Sequence, residues 1–176
     1  DWDVINTYFS LNGKFRVTGI NQDGSIVIRV VRIVENEGEA VEAAVPLPEL
    51  PEGEILGVVF SRTGARMAFY VNGDRSPDNL FVYDLGIGQS SRPEQIRQLT
   101  QSLSRDIDPS DLVEAQVIRF RSFDGMVIPS IYYKPHDASM TNKVPAIVYV
   151  HGGPGGQTMR GYNAQIQYLV NHGYAV

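Results

Sequence analysis

Two stretches of this chain follow one pattern 51 residues apart, and that self-similarity limits the fold more than any other feature. Phe9-Ser10-x-x-Gly13 is matched by Phe60-Ser61-x-x-Gly64, and at the same offset Ile20-Asn21 is matched by Val71-Asn72. Around the first copy, Val4–Phe9, Phe15–Ile20, Ile26–Ile33 and Val41–Val45 are apolar or alternating runs. Asn12-Gly13, Asp23-Gly24 and a polar tip over Glu35–Glu39 separate them. Asn-Gly and Asp-Gly tolerate the positive φ of a type I′ turn, so the runs are expected to be hairpin strands. In the second copy Leu80–Leu85 corresponds to Ile26–Ile33, after a slightly longer turn at Gly73–Asn79. Four-stranded repeats of roughly 40–50 residues suggest propeller blades. Pro46, Pro48 and Pro51 fit an extended connection between the copies, because proline is disfavoured inside a central strand.

Beyond the repeats the grammar changes. Gln89–Asp111 is polar, with Ile96 and Leu99 as its anchors, and reads as a last blade edge followed by a linker. The expected boundary lies near Ser110: 1–110 would be the last blades of a β-propeller plus linker, and 111–176 the start of an α/β-hydrolase domain. Val117–Phe123 and Met126–Lys134 form a hairpin about Asp124-Gly125. Pro145–Val150 is a near-continuous apolar run, the signature of a strand covered on both faces. A Gly/Pro loop follows at His151–Gly156. Tyr162, Ile166, Leu169 and Val170 then recur at helical spacing, with His172 in the last turn and Gly173 as C-cap. Tyr174-Ala175-Val176 opens the next strand. Strand, glycine loop, helix and strand in that order begin an α/β sheet.

Composition excludes several function classes. The net charge of −5, with scattered basic residues, argues against a nucleic-acid footprint. No apolar run approaches the roughly 18 residues of a membrane span. There are no cysteines, which removes thiolate zinc sites and Cys nucleophiles. Three scattered histidines show no metal-ligand spacing, so neither metal nor cofactor is expected. His136 lies in a polar loop and is expected to be solvated.

His151-Gly152-Gly153-Pro154-Gly155-Gly156 carries the chemistry. In α/β-hydrolases a loop in this position donates a backbone N–H to the oxyanion hole. Charge develops on the carbonyl oxygen as a hydroxyl attacks it, and each preorganised donor there contributes about 3–4 kcal/mol. Pro154 has no N–H, which leaves Gly153 as the first candidate donor and Gly152 as the second. His151 and Pro154 are candidates for substrate contact. His151 is not expected to be the general base, because the triad histidine of hydrolases comes late in the chain. A phosphate cradle is disfavoured, since the stretch lacks both a P-loop ending and GxGxxG spacing. No GxSxG nucleophile elbow occurs in the chain.

The residues from about Leu99 to Val176 resemble the prolyl oligopeptidase family of serine peptidases, and more narrowly its acylaminoacyl-peptidase and dipeptidyl-peptidase-like members. Leu99-Thr100, Ser122–Pro129, Tyr133-Lys134-Pro135, Val144–Val148, His151–Pro154, Gln167-Tyr168-Leu169 and Gly173–Val176 carry the resemblance. The FSxxG repeats look like the closing blades of that family's propeller. The resemblance implies hydrolysis of short peptides by a Ser-Asp-His triad located beyond Val176, with Gly153 as oxyanion donor. Some relatives bear a Tyr where His151 stands. Both chain ends look like cuts within a longer protein, so the chain is expected to be a partial, inactive piece. A homo-oligomer is compatible with the sequence, and the compartment, cytoplasmic or periplasmic, stays open. Two alternatives remain: an esterase-like α/β-hydrolase, and a non-catalytic propeller binding module.

Overall fold

The computed structural model describes residues 2–50, 52–86 and 95–176. Pro51 and the first part of the polar stretch, 89–94, lie outside the described residues. The chain divides into two compact units. One comprises Asp1–Gln22, Ile26–Asn72 and Asp78–Ser102, and the other Asp23–Ser25, Gly73–Pro77 and Leu103–Val176.

The first unit is built on two four-stranded antiparallel sheets. One runs β1 (Asp3–Phe9), β2 (Phe15–Gln22), β3 (Ser25–Asn36), β4 (Glu39–Ala44); the other runs β5 (Glu54–Phe60), β6 (Arg66–Gly73), β7 (Ser76–Asp84), β8 (Gln95–Gln98). The sequence offset of the repeat persists in the register. Val4 pairs with Ile20 and Phe9 with Arg16; Ile55 pairs with Val71 and Phe60 with Met67. Both ladders slip between these pairs, at Val4/Asn6 and at Leu56/Val59.

The FSxxG motif has a local cause. The Ser10 amide donates to the Phe15 carbonyl and Gly13 donates back to the Ser10 carbonyl, while Ser61, Arg66 and Gly64 repeat those bonds, all at 2.9 Å. Each serine hydroxyl also accepts the amide of the first residue of the next strand, at 3.0 Å for Phe15 and 3.2 Å for Arg66. Gly13 and Gly64 sit at φ 67° and 76°. Asn12-Gly13 is therefore the end of a longer loop and not the two-residue type I′ turn expected from sequence. Asp23-Gly24 does have both residues at positive φ, 57° and 80°. The turn expected over Gly73–Asn79 is also corrected: β7 begins at Ser76, so the two copies have turns of equal length. Pro77 is tolerated in that strand because β8 pairs only with Phe81 to Asp84, and no ladder bond on that side is lost.

The two sheets pack against each other through a core of Phe15, Val17, Val30, Ile55, Val58, Met67, Phe69, Val71, Phe81, Tyr83 and Leu85. Phe15 stacks on Phe60 with ring centroids 4.3 Å apart. In β2 the side chains in this core are Phe15 and Val17, with Ile20 buried outside it; in β6 they are Met67, Phe69 and Val71. Shifted by 51, those β6 positions fall on 16, 18 and 20, the opposite face of the strand. The copies thus stack head to tail, each presenting the face that the other turns away. Val45, Leu47 and Leu50 of the proline-rich connection pack on this core. Ile96 packs there as expected, whereas Leu99 leaves its side chain exposed.

The second unit holds the hairpin of β9 (Ala115–Arg121) and β10 (Val127–Tyr133), and the helix α1 (Ala164–Asn171). Ser122, expected within the strand, instead opens the turn at Asp124-Gly125, where its amide donates to the Met126 carbonyl at 2.8 Å. Val113, Ala115, Tyr133, Ile166 and Val170 form its core. Helix α1 starts later than its apolar spacing suggests, because the Asn163 side chain caps it by accepting the Ile166 amide at 3.1 Å. His172 is the C-cap, and Gly173 follows at φ 84°. Gly173 donates to Val170 O and Tyr174 to Leu169 O, a Schellman ending.

The buried strand expected over Pro145–Val150 does not form. Only Ala146 bridges, in parallel, to Ala175, and Val148 and Val150 are 86% and 77% exposed. Among the described residues, the row beside this run ends at Val176, which pairs on its other side with Tyr133. A strand without ladder partners has nothing to satisfy its backbone. The parallel bridge with α1 between its two halves is still the connectivity of a βαβ crossover.

Candidate functional site

The glycine loop leaves the short parallel bridge after Ile147, whose amide donates to the Ala175 carbonyl at 2.8 Å. His151, Gly152, Gly153 and Pro154, the four residues expected at the site, lie together on it and are all exposed. Gly153 adopts φ 72°, a left-handed conformation that strains any side chain. A Cβ at Gly152 or Gly153 would meet nothing within 4 Å, so φ alone demands glycine at 153. At Gly156 the demand is spatial, since a Cβ there would stand 2.3 Å from Gly152 O. The loop closes on itself through a bond from the Gly156 amide to the Gly153 carbonyl at 3.3 Å. The 152 and 153 amides are not used in the bonds that close this turn. Gly152 and Gly153 thus lie exposed on a glycine turn that precedes α1.

Below the loop lies a polar node that the sequence reading missed. Asp74 is 4% exposed. Its carboxylate accepts from the Ala115 amide at 2.9 Å, from the Arg160 guanidinium at 2.6 Å and from the Gly161 amide at 3.2 Å. Gln167, equally buried, donates to the carbonyls of Asp74 and Val113 and accepts the Val113 amide at 3.0 Å. Tyr133 donates to the Gly161 carbonyl at 3.1 Å. Burial, reinforced by the Asp74 charge and opposed by Arg160, pushes the Tyr133 phenol up to about 12. The repeat held the signal for Asp74. Its counterpart at the same offset is Asp23, also a turn aspartate, which pairs with Arg119. Gln167 figures only within Gln167-Tyr168-Leu169, and the helical spacing of its apolar neighbours does not mark it as buried. His136 is exposed as expected. His172 is exposed too and closes the helix through Nδ1 against the Tyr168 carbonyl at 2.8 Å.

No family model matches the chain. A probable dipeptidyl-aminopeptidase B of Paracoccidioides lutzii is 29% identical over 105 residues, covering 57% of this chain and 10% of that protein. Its counterpart in Paracoccidioides brasiliensis is 33% identical over 105 residues, with the same coverage. The crystal structure of puromycin hydrolase superposes with a TM-score of 0.67 at 21% identity, covering 97% of this chain and 24% of that one. An acylaminoacyl peptidase of Pyrococcus horikoshii superposes with a TM-score of 0.62 at 22% identity, covering 99% and 24%. These neighbours are of the prolyl oligopeptidase family.

The chain resembles that family. The resemblance to prolyl oligopeptidase-type proteins extends over nearly the whole chain in fold and over little more than half of it in sequence. The chain spans about a tenth of the length of its curated relatives and about a quarter of its structural neighbours.

Proposed function

We propose that the chain is the junction segment of a serine-type peptidase of the prolyl oligopeptidase family. In this reading residues 1–110 are the last blades of a β-propeller with a linker, and 111–176 open the α/β-hydrolase domain. The substrate class is short peptides. The Gly153 amide, with Gly152 as the second candidate, stabilises the oxyanion, and His151 and Pro154 line the substrate. No GxSxG occurs in the chain, so nucleophile, acid and base come from beyond Val176, and this segment alone is inactive. The observation that carries the reading is the glycine turn with Gly153 at φ 72°, exposed between the two halves of a parallel strand–helix–strand unit.

The test is a full-length preparation assayed on aminoacyl and acylaminoacyl peptide substrates, beside a fluorophosphonate probe for an activated serine. Peptide hydrolysis with stoichiometric labelling is expected from the full protein, and no labelling from residues 1–176. Ester hydrolysis without peptide hydrolysis, or labelling of the segment itself, would overturn the reading.

A further inference from the structure

The exposed glycine loop needs a fixed point if its amides are to meet a reacting oxygen. Upstream, the last backbone bond before the loop is that of Ile147 to Ala175. Downstream, residues 151–157 are exposed and burial begins only at Thr158. On that side Arg160 is attached twice. Its amide donates to the Gly24 carbonyl at 2.7 Å, and its guanidinium reaches the buried Asp74 carboxylate. The next residue, Gly161, donates to the other oxygen of the same carboxylate, and its carbonyl accepts from Tyr133. Asp74 is itself held from two sides, by the Ala115 amide on its carboxylate and by Gln167 on its carbonyl. A carboxylate taking three donors from two backbone amides and a guanidinium is a rigid receptor, because charge-assisted bonds of this kind are short and directional.

We propose that Asp74 and Arg160 are positioning residues that set the C-terminal end of the glycine loop, and with it the aim of the Gly153 amide. The inference rests on the oxyanion-loop reading of residues 151–156. Neither residue touches the reacting atoms; they act through the seven-residue span from Gly153 to Arg160. Gln167 serves the same receptor from beneath. Arg160 reaches the carboxylate through one nitrogen, Nη2 on Asp74 Oδ2, and an ammonium is more strongly hydrated and less directional than this guanidinium.

The experiment compares full-length wild type with Asp74→Asn and Arg160→Lys, by amide hydrogen exchange and by steady-state kinetics. In Asp74→Asn we expect exchange of the bonded Gly156 and Arg160 amides to accelerate at least about tenfold, with exchange in the hairpin β9–β10 beyond Ala115 and Tyr133 unchanged. Turnover should fall roughly tenfold to a hundredfold, as small misplacements of a catalytic group do, with KM within about twofold. Arg160→Lys keeps the charge but loses the Nη2 donor placed on Asp74 Oδ2, and should fall between. Unchanged loop exchange would overturn the proposal, as would acceleration shared equally by the hairpin, which marks a merely structural pair. If wild type hydrolyses no peptide, the functional reading fails while the exchange comparison still decides the positioning role. If Asp74→Asn does not fold, Arg160→Lys carries the same readout, because Arg160 lies at the partly exposed side of the pair.

Discussion

Glycines occupy left-handed conformations in both the FSxxG turns and the HGGPGG loop, yet the two regions use them in opposite ways. At Gly13 and Gly64 the turn is bonded to the strands it joins, and the Gly64 position lies against buried Phe15. At Gly153 the surroundings are open, and the turn closes on itself through the Gly156 amide. The same conformational freedom serves folding in one place and leaves an amide available in the other. Where a positive-φ glycine is packed and its turn closed on the strands, it is architecture; where it is exposed with a free approach, it can be chemistry.

The contrast breaks first at the core. Phe15→Ala removes the ring that stacks on Phe60 beneath both turns, and should cost about 3–5 kcal/mol in a urea unfolding series. Gly64→Ala should cost about 2–4 kcal/mol, from left-handed strain and a Cβ 3.0 Å from the Phe15 ring, which is 1% exposed and cannot yield. Gly13→Ala has the strain without the collision, and should cost about 1–2 kcal/mol. Equal losses at the two positions would show that packing against Phe15 is irrelevant. Gly153→Ala reverses the emphasis: stability should change by no more than about 1–2 kcal/mol, while turnover of the full-length enzyme drops by about two orders of magnitude. A loss of stability with turnover intact would erase the distinction.

A smaller effect comes from Tyr133. Its folded value, about 12, lies above the ordinary 10.0, so the fold favours the neutral phenol. That contribution is complete below pH 10 and is lost as pH rises through 12. Urea midpoints should therefore decline over that window in wild type and decline less in Tyr133→Phe. The smallest expected effect is Gly152→Ala, within about 0.5 kcal/mol, because that position has open space and no positive φ.

The elements visible in the sequence were those whose cause is local. The 51-residue offset carried through to the ladder register because the serine and glycine of each copy close their own turn. Gly173 helps to end α1 through its own backbone bond to Val170, and the glycine at 153 is demanded by its own φ. What stayed hidden depends on distant partners. Pro145–Val150 reads as a buried strand by hydrophobicity, but a strand exists only where neighbours complete its ladder, and here a single bridge is formed. Asp74 and Arg160 are 86 residues apart, and the repeat marks Asp74 as a turn aspartate without showing which residue it binds. Gln167 stood out in the sequence only as part of Gln167-Tyr168-Leu169, and it is the backbone of Val113 and Asp74 that makes it a buried clamp.

The head-to-tail stacking of the two sheets has a further consequence. An interface joining a surface to its own copy would satisfy both partners and stop. Here face meets reverse face, so each added sheet re-creates the site for the next, and chemistry supplies no terminator. Only the rotation per step can end such a series, by bringing the last sheet round to the first. A substitution that changes the tilt between Phe15 and Phe60 would alter the angle at which a further sheet could stack before it would alter either sheet itself.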